Sequence, residues 1–256
     1  MNEEQILKAR LNDLALKSYK QNIYTYTSFL SPADMAVFDT LHDELSYVGY
    51  ETNGGLDICE RRMIGFGSRE QLGYDGVWPI KLIVISPLIE KFSDELSHRD
   101  FLGALMNLGI ERSVLGDIIV KNQKRAYVFC QENIAGFIAD NLTKIKHTNV
   151  KCTIMDISEA GDISELKPLL YDISCIVAAA RFDAVVAALI KCSRSEAVKY
   201  FQSEKITLNG RICTRNSIPL KDGDIFSVRG HGKYMYCGQG SETKKGKIHV
   251  SLKGYR

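Results

Sequence analysis

The chain has 256 residues, 45% hydrophobic and 25% charged, with a mean hydropathy of -0.12. That composition is that of a globular protein with one to three cores and points away from disordered, fibrous and membrane-embedded classes. The formal charge of +2 is unevenly spread: Arg181 to Arg256 holds 15 Lys/Arg against 6 Asp/Glu, net +9, and the residues before it hold 18 against 25, net −7. A polyanion is therefore expected on the last third.

The longest apolar runs, such as Leu82 to Ile85, fall far short of the roughly 18 residues that suggest a membrane span, so no membrane partner is expected. The start, Met-Asn-Glu-Glu, has neither a basic leader nor an apolar stretch, so no signal peptide is expected. The cysteines (Cys59, Cys130, Cys152, Cys175, Cys192, Cys213, Cys237) are odd in number and at least 17 positions apart, with no C-x-x-C pair. Free thiols in a reducing cytoplasm fit that spacing, and a zinc site does not.

Residues 1–75 read as mainly helical. Ile6, Leu7, Leu11 and Leu14 recur at amphipathic spacing, and Ser31-Pro32 announces a second helix. Arg61, Arg62 and Arg69 flank Gly65-Phe66-Gly67; such a loop could touch phosphate, although charge clusters more often just face water. Residues 76–160 change pattern. Ile80 to Ile85 reads as a strand, Ser97 starts a helix with Asp100 completing a capping box, and Asp117 to Lys121 and Ala126 to Cys130 form a hairpin. A helix over Glu132 to Leu142 and a strand over Val150 to Met155 complete the order β-α-β-β-α-β, the ferredoxin-like plan shared by RNA-recognition motifs. Tyr127 and Phe129 are placed where such motifs stack bases, but the rest of that signature is missing and aromatics in a strand more often pack a core. Residues 160–170, with Gly161 and Pro168, read as a linker.

The third segment, 178–256, is the most specific. Phe182, Val185, Val186 and Leu189 mark one short helix and leave Arg181 free. Ser193-Arg194-Ser195-Glu196 spells a capping box for a second helix to about Gln202 that exposes Arg194. Ile206 to Cys213 is a hairpin across Asn209-Gly210, and Lys221-Asp222-Gly223-Asp224 turns into a strand over Ile225 to Val228. Arg181, Arg194, Lys199, Arg211 and Arg215 can converge on one face, with Lys205, Asn209 and Arg229 as further contacts and Ser193 and Ser195 offering donors at a helix start. Asp183 reads as a structural acid that pairs with a basic group or caps its helix.

Arg-x-Asp, Ser-Arg-Ser-x-Ala, an Asn-Gly hairpin and Gly-Asp-x-Phe-x-Val-Arg-Gly, in that order, resemble the RNA-binding domain of the ribosomal protein S-four type. Ser97-His98-Arg99-Asp100-Phe101-Leu102-Gly103 through Ile110, followed by Leu115-Gly116-Asp117-Ile118, widens the resemblance to the bacterial YlmH family over essentially the whole chain. The resemblance implies an α+β protein: a helical N-terminal segment, an RRM-like middle domain, and a small two-helix plus β-sheet S-four type domain. It further implies a cytoplasmic, monomeric RNA-binding protein without cofactor, acting on the translation apparatus. Its implied partners are ribosomal RNA or tRNA on the large ribosomal subunit. By analogy with a smaller heat-shock relative, the implied setting is quality control of stalled nascent chains.

Two alternatives stand beside this reading, an RNA-modifying enzyme and a cell-division scaffold. Gly55-Leu56-Asp57 lacks the arginine of a pseudouridine-synthase motif, Ser86-Pro87 cannot form a methyltransferase's glycine loop, and no phosphate loop occurs. The five histidines have no metal spacing, and His98-Arg99-Asp100 reads as a helix start rather than a kinase triplet.

Overall fold

Residues 2–157, 166, 170–243 and 246–255 are described by a computed structural model of the chain, and they divide into two units, Met1–Lys167 and Pro168–Arg256. The linker expected over 160–170 lies outside the described residues, apart from Leu166 and Leu170.

In the first unit, α1 (Glu3–Gln21) starts where the Asn2 side chain accepts from the Gln5 N–H at 2.8 Å and Gln5 returns the bond to Asn2 at 3.1 Å. Its buried stripe is Leu11, Ala15 and Ser18, with Leu7 and Leu14 alongside. Ile6, expected on that stripe, is 52% exposed. At about 100° per residue it sits well round the helix from Leu11.

Strand β1 (Thr25–Tyr26), helix α2 (Pro32–Phe38, capped by Ser31 and Asp34), strands β2 (Tyr50–Asn53) and β3 (Met63–Phe66), and helix α3 (Arg69–Leu72) follow. The strands pair in the order β1-β3-β2, so the N-terminal segment, read as mainly helical, carries a small sheet beside its helices. The short polar β2 and the wholly buried β3 show no alternation that marks a strand. Gly55-Leu56-Asp57 lies in a turn.

The second sheet holds β4 (Ile80–Pro87), β5 (Leu115–Lys121), β6 (Arg125–Gln131), β7 (Lys144–Ile145) and β8 (Thr148–Met155), in the order β5-β6-β4-β8-β7 and antiparallel throughout. Helices α4 (His98–Met106) and α5 (Glu132–Asn141) cover one face: Phe101, Leu105, Ala135 and Ile138 pack on Ile83, Ile85, Val128 and Cys130. The expected β-α-β-β-α-β order is present, with β7 added.

The N-terminal segment closes part of the opposite face. Phe29, Cys59 and Met63 pack on Ile80, Leu82 and Phe129, and Gly55, at φ +98, lies against the Phe129 ring. Arg61 pins the junction: its Nε donates to the Leu115 carbonyl and its Nη2 to that of Phe29, both at 2.9 Å. Asp117 accepts from the Glu60 N–H at 2.6 Å and the Arg61 N–H at 3.3 Å. Burial lowers the affinity of Arg61 for its proton and raises that of Asp117, and their mutual attraction opposes both shifts.

In the second unit, β9 (Leu170–Val177) precedes α6 (Phe182–Leu189) and α7 (Arg194–Gln202); then come β10 (Ile206–Leu208), β11 (Arg211–Ile212), β12 (Ile225–Val228), β13 (Gly232–Glu242) and β14 (Ile248–Tyr255). The sheet runs β11-β10-β12-β13-β14-β9. Phe182 sits edge-on to both Phe201 and Phe226, each at 5.0 Å between ring centres, and these rings carry the core. The Asn209-Gly210 turn has positive φ at both residues, 47° and 80°, as a two-residue hairpin of type I′ demands.

Candidate nucleic-acid interface

The start of α6 and the start of α7 bring one carboxylate and two guanidiniums together. Asp183 is 2% exposed, and its Oδ2 accepts from Arg181 Nη2 at 3.1 Å, Arg194 Nη2 at 2.9 Å and Asn216 Nδ2 at 3.3 Å. The loop carrying Asn216 is itself fastened to α6: the Asp183 N–H donates to the Asn216 carbonyl at 2.9 Å and the Phe182 N–H to that of Ile218 at 3.1 Å. Asp183 therefore pairs, as the sequence suggested, but does not cap; the N-cap position is Arg181 and carries no side-chain cap bond. Arg181, read as free, is paired with Asp183, and so is Arg194, which is exposed as read. Each side chain is about half exposed, at 44% and 52%, so each is oriented from below while its remaining N–H donors face solvent.

Asp183 Oδ1 is buried with no hydrogen-bond partner among the described residues. A buried unpaired oxygen costs about 1–3 kcal/mol, which is the kind of local expense that sites of function retain.

Helix α7 begins with the expected capping box: Ser193 Oγ accepts from the Glu196 N–H at 3.2 Å, and the Glu196 carboxylate accepts from the Ser193 N–H at 2.8 Å. Ser195 lies beside it, its hydroxyl 3.0 Å from that of Ser193. These hydroxyls therefore serve the helix start first. Arg215 is exposed next to Asn216, on the loop fastened to Asp183.

The other expected contacts fall in a different neighbourhood. The Arg229 N–H donates to the Lys205 carbonyl at 2.9 Å, Lys205 Nζ lies over the Tyr200 ring at 5.6 Å, and the Tyr200 hydroxyl is 3.0 Å from His231 Nε2. Asn209 spends its side chain on the hairpin, donating to Asp224 at 2.8 Å and accepting from the Ile225 N–H at 2.9 Å. Arg211 on β11 and Lys199 on α7 are exposed. Asn216 was not foreseen: it lies 33 positions from Asp183, and nothing in the local sequence announces the pairing.

Elsewhere the phosphate reading does not hold for Arg61 and Arg62. Arg61 is spent on backbone carbonyls, and Arg62 donates to Thr52 Oγ1 at 3.1 Å and the Thr52 carbonyl at 3.0 Å. Phe129 cannot stack a base, because it is fully buried; Tyr127 stays half-buried. Among the described residues no His/Cys/Asp/Glu group is arranged to hold a metal, and no helix is long and apolar enough to cross a membrane.

Residues 78–159 match the family model described as "Putative RNA-binding domain in YlmH". The chain is 25% identical over 230 residues to the Bacillus subtilis (strain 168) protein named ribosome-associated protein quality control protein P2, covering 88% of this chain and 85% of that one. A solved structure titled cell division protein ylmH from Streptococcus pneumoniae superposes with a TM-score of 0.50 at 20% identity, over 63% of this chain and 96% of the other, a likeness of fold alone.

Proposed function

We propose, on the likeness to YlmH-type proteins, that the chain is a non-catalytic RNA-binding protein that works on the ribosome in the cytoplasm. The observation that carries the reading is the Asp183 clamp. Two half-exposed arginines from successive helices are aimed by one buried carboxylate, in a segment of net charge +9. Guanidinium forks held in this way suit bidentate contact with phosphate.

In this reading the C-terminal unit, with its two helices and sheet, is the S-four type module, and the middle sheet is the RRM-like one. The relative's name supports a ribosome-associated role in quality control. The large subunit with tRNA is the target proposed here, since a rigid basic surface favours folded RNA. Binding rather than catalysis is the proposed activity, and no name among the relatives states an enzyme.

The test is crosslinking of the full chain to cellular RNA, with the fragments identified, followed by a salt titration against folded ribosomal RNA. Fragments of ribosomal RNA or tRNA are expected. With about four phosphates neutralised, log affinity should fall with log salt at a slope of roughly −3 to −4. An empty crosslinking lane would favour a scaffold, and a modified base in the recovered RNA would favour an enzyme.

A further inference from the structure

Among the described residues, half of one face of the middle sheet is left open, and its register shows what that half presents. Phe129 and Leu82 lie opposite each other under the N-terminal segment. One rung further, Val84 and Ile119 both pair with Tyr127, and Val84 pairs with Thr153. In the next rung Lys121 pairs with Arg125, and Ser86 with Lys151. Side chains two residues apart along a strand share a face, so Lys121, Arg125 and Lys151 form one row beside Tyr127 on the uncovered half.

These side chains, with Lys124 from the hairpin loop, line a concavity of about 470 Å³. That volume is within the roughly 300–1,000 Å³ of small-ligand sites. Among the described residues the one acid in the lining is Glu90, whose backbone carbonyl takes Lys124 Nζ at 3.0 Å. Among the described residues none of the four cations forms an ion pair, whereas nearby Lys81 is paired with Asp156 and Glu132, and Lys146 with Asp100.

Structure alone does not account for this arrangement. Like charges directly opposite in a sheet destabilise it, and Lys121 faces Arg125 across the ladder. The surplus stands in the part of the chain where acids outnumber bases, 25 to 18. A bound anion would relieve the repulsion. The half-buried Tyr127 ring, about 6.6 Å along the strand from Arg125 at 3.3 Å per residue, adds a flat surface one rung away. An anion joined to a flat ring is the make-up of a nucleotide, and a base reaches such a ring only when it is unpaired.

We propose that this concavity is a second RNA site, in which Lys121, Lys124, Arg125 and Lys151 hold backbone phosphate of a single strand while Tyr127 stacks on its base. The proposal rests on the RNA-binding reading above and gives it a single-stranded target separate from the Asp183 face.

The test uses the full chain and an end-labelled, unstructured RNA dodecamer, read by fluorescence anisotropy. The combined Lys121→Ser, Arg125→Ser, Lys151→Ser variant should bind at least tenfold more weakly, Tyr127→Leu about fivefold more weakly, and Tyr127→Phe within twofold of the parent. Unchanged affinity in the triple variant or in Tyr127→Leu would overturn the site. Since Tyr127→Leu touches a packed sheet, ultraviolet crosslinking of the unaltered chain serves as the second measurement. The adduct is expected on the strand carrying Tyr127, and adducts confined to the C-terminal unit would overturn the proposal. Inorganic phosphate should displace the dodecamer only weakly; displacement as complete as by a mononucleotide would show an anion hole without a base platform. Parent protein that binds folded ribosomal RNA but not the dodecamer would sink this site alone, and parent protein that binds neither would sink the RNA reading itself.

Discussion

Arg194 reaches from the first turn of α7 to Asp183 in α6 and donates to its Oδ2 at 2.9 Å, the same oxygen that takes Arg181 at 3.1 Å. The clamp and net charge make opposite forecasts for Asp183→Asn. Removing the carboxylate adds one positive charge, which by bulk electrostatics would tighten RNA binding. An amide there, however, keeps an oxygen acceptor but no negative charge, so both guanidiniums lose the charge-assisted bond that aims them. The expected outcome is weaker binding to folded ribosomal RNA by roughly tenfold, the scale of one charge-assisted contact. Tighter binding by the Asn variant would show that orientation does not matter.

Arg211→Ala and Phe182→Ala should separate recognition from folding. Arg211 is exposed on the edge strand β11, so its loss should leave stability within about 0.5 kcal/mol while costing about 1–3 kcal/mol of RNA affinity. Phe182 is fully buried between Phe201 and Phe226, and truncating it should cost about 3–5 kcal/mol and unfold the C-terminal unit. Thermal unfolding of the two variants beside their affinities checks both halves; Arg211→Ala binding like the parent would remove that residue from the face.

What the sequence disclosed was local. The Ser193 to Glu196 capping box, the Ser97 to Asp100 box and the Asn209-Gly210 turn are each written within four residues, and each stands where it was read. What it hid is non-local. Strand β9 pairs with β14 from Ile248 and Val177 to Tyr255 and Leu170, across more than seventy positions, and neither strand was read, although Ile248, Val250 and Leu252 alternate. At the sites the same division holds. The arginines were visible as charges, but their convergence on Asp183 and Asn216 depends on a loop 33 residues downstream. Tyr127 was read at a base-stacking position, yet Lys151 reaches its side of the sheet only through the pairing of β4 with β8. Phe129 looked like a base platform because strand pattern cannot say which segment will cover a face.

Gly55→Ala should loosen the N-terminal segment from the middle sheet. At φ +98 an alanine is strained by about 1–2 kcal/mol, and its Cβ would clash with the Cδ1 and Cε1 edge of the Phe129 ring. Overpacking adds about 1–3 kcal/mol. Hydrogen exchange is expected to rise in β3 and around Phe29, while the Asp183 face, in the other unit, keeps its exchange pattern. Parent-like exchange in the first unit would show that the junction tolerates the methyl group.

Asp100 gives the first unit an acid-sensitive element whose direction follows from its partners. Its Oδ2 accepts from Lys146 Nζ at 2.8 Å, from Ser97 Oγ at 2.7 Å and from the Ser97 N–H at 2.8 Å. Those bonds, the one from Lys146 foremost, hold the carboxyl at about 2, below its ordinary 3.8. A carboxyl depressed in the folded state binds its proton more readily once unfolded, so its contribution is whole above pH 4 and is lost as pH falls toward 2. Asp100→Asn should therefore lower the urea midpoint at pH 7 and flatten its decline between pH 4 and 2, by the protonation of one group. The measurement is the midpoint of both proteins across that range. Parallel curves would mean that the carboxylate at the start of α4 contributes nothing to acid stability, and that the helix cap is held by Ser97 without it.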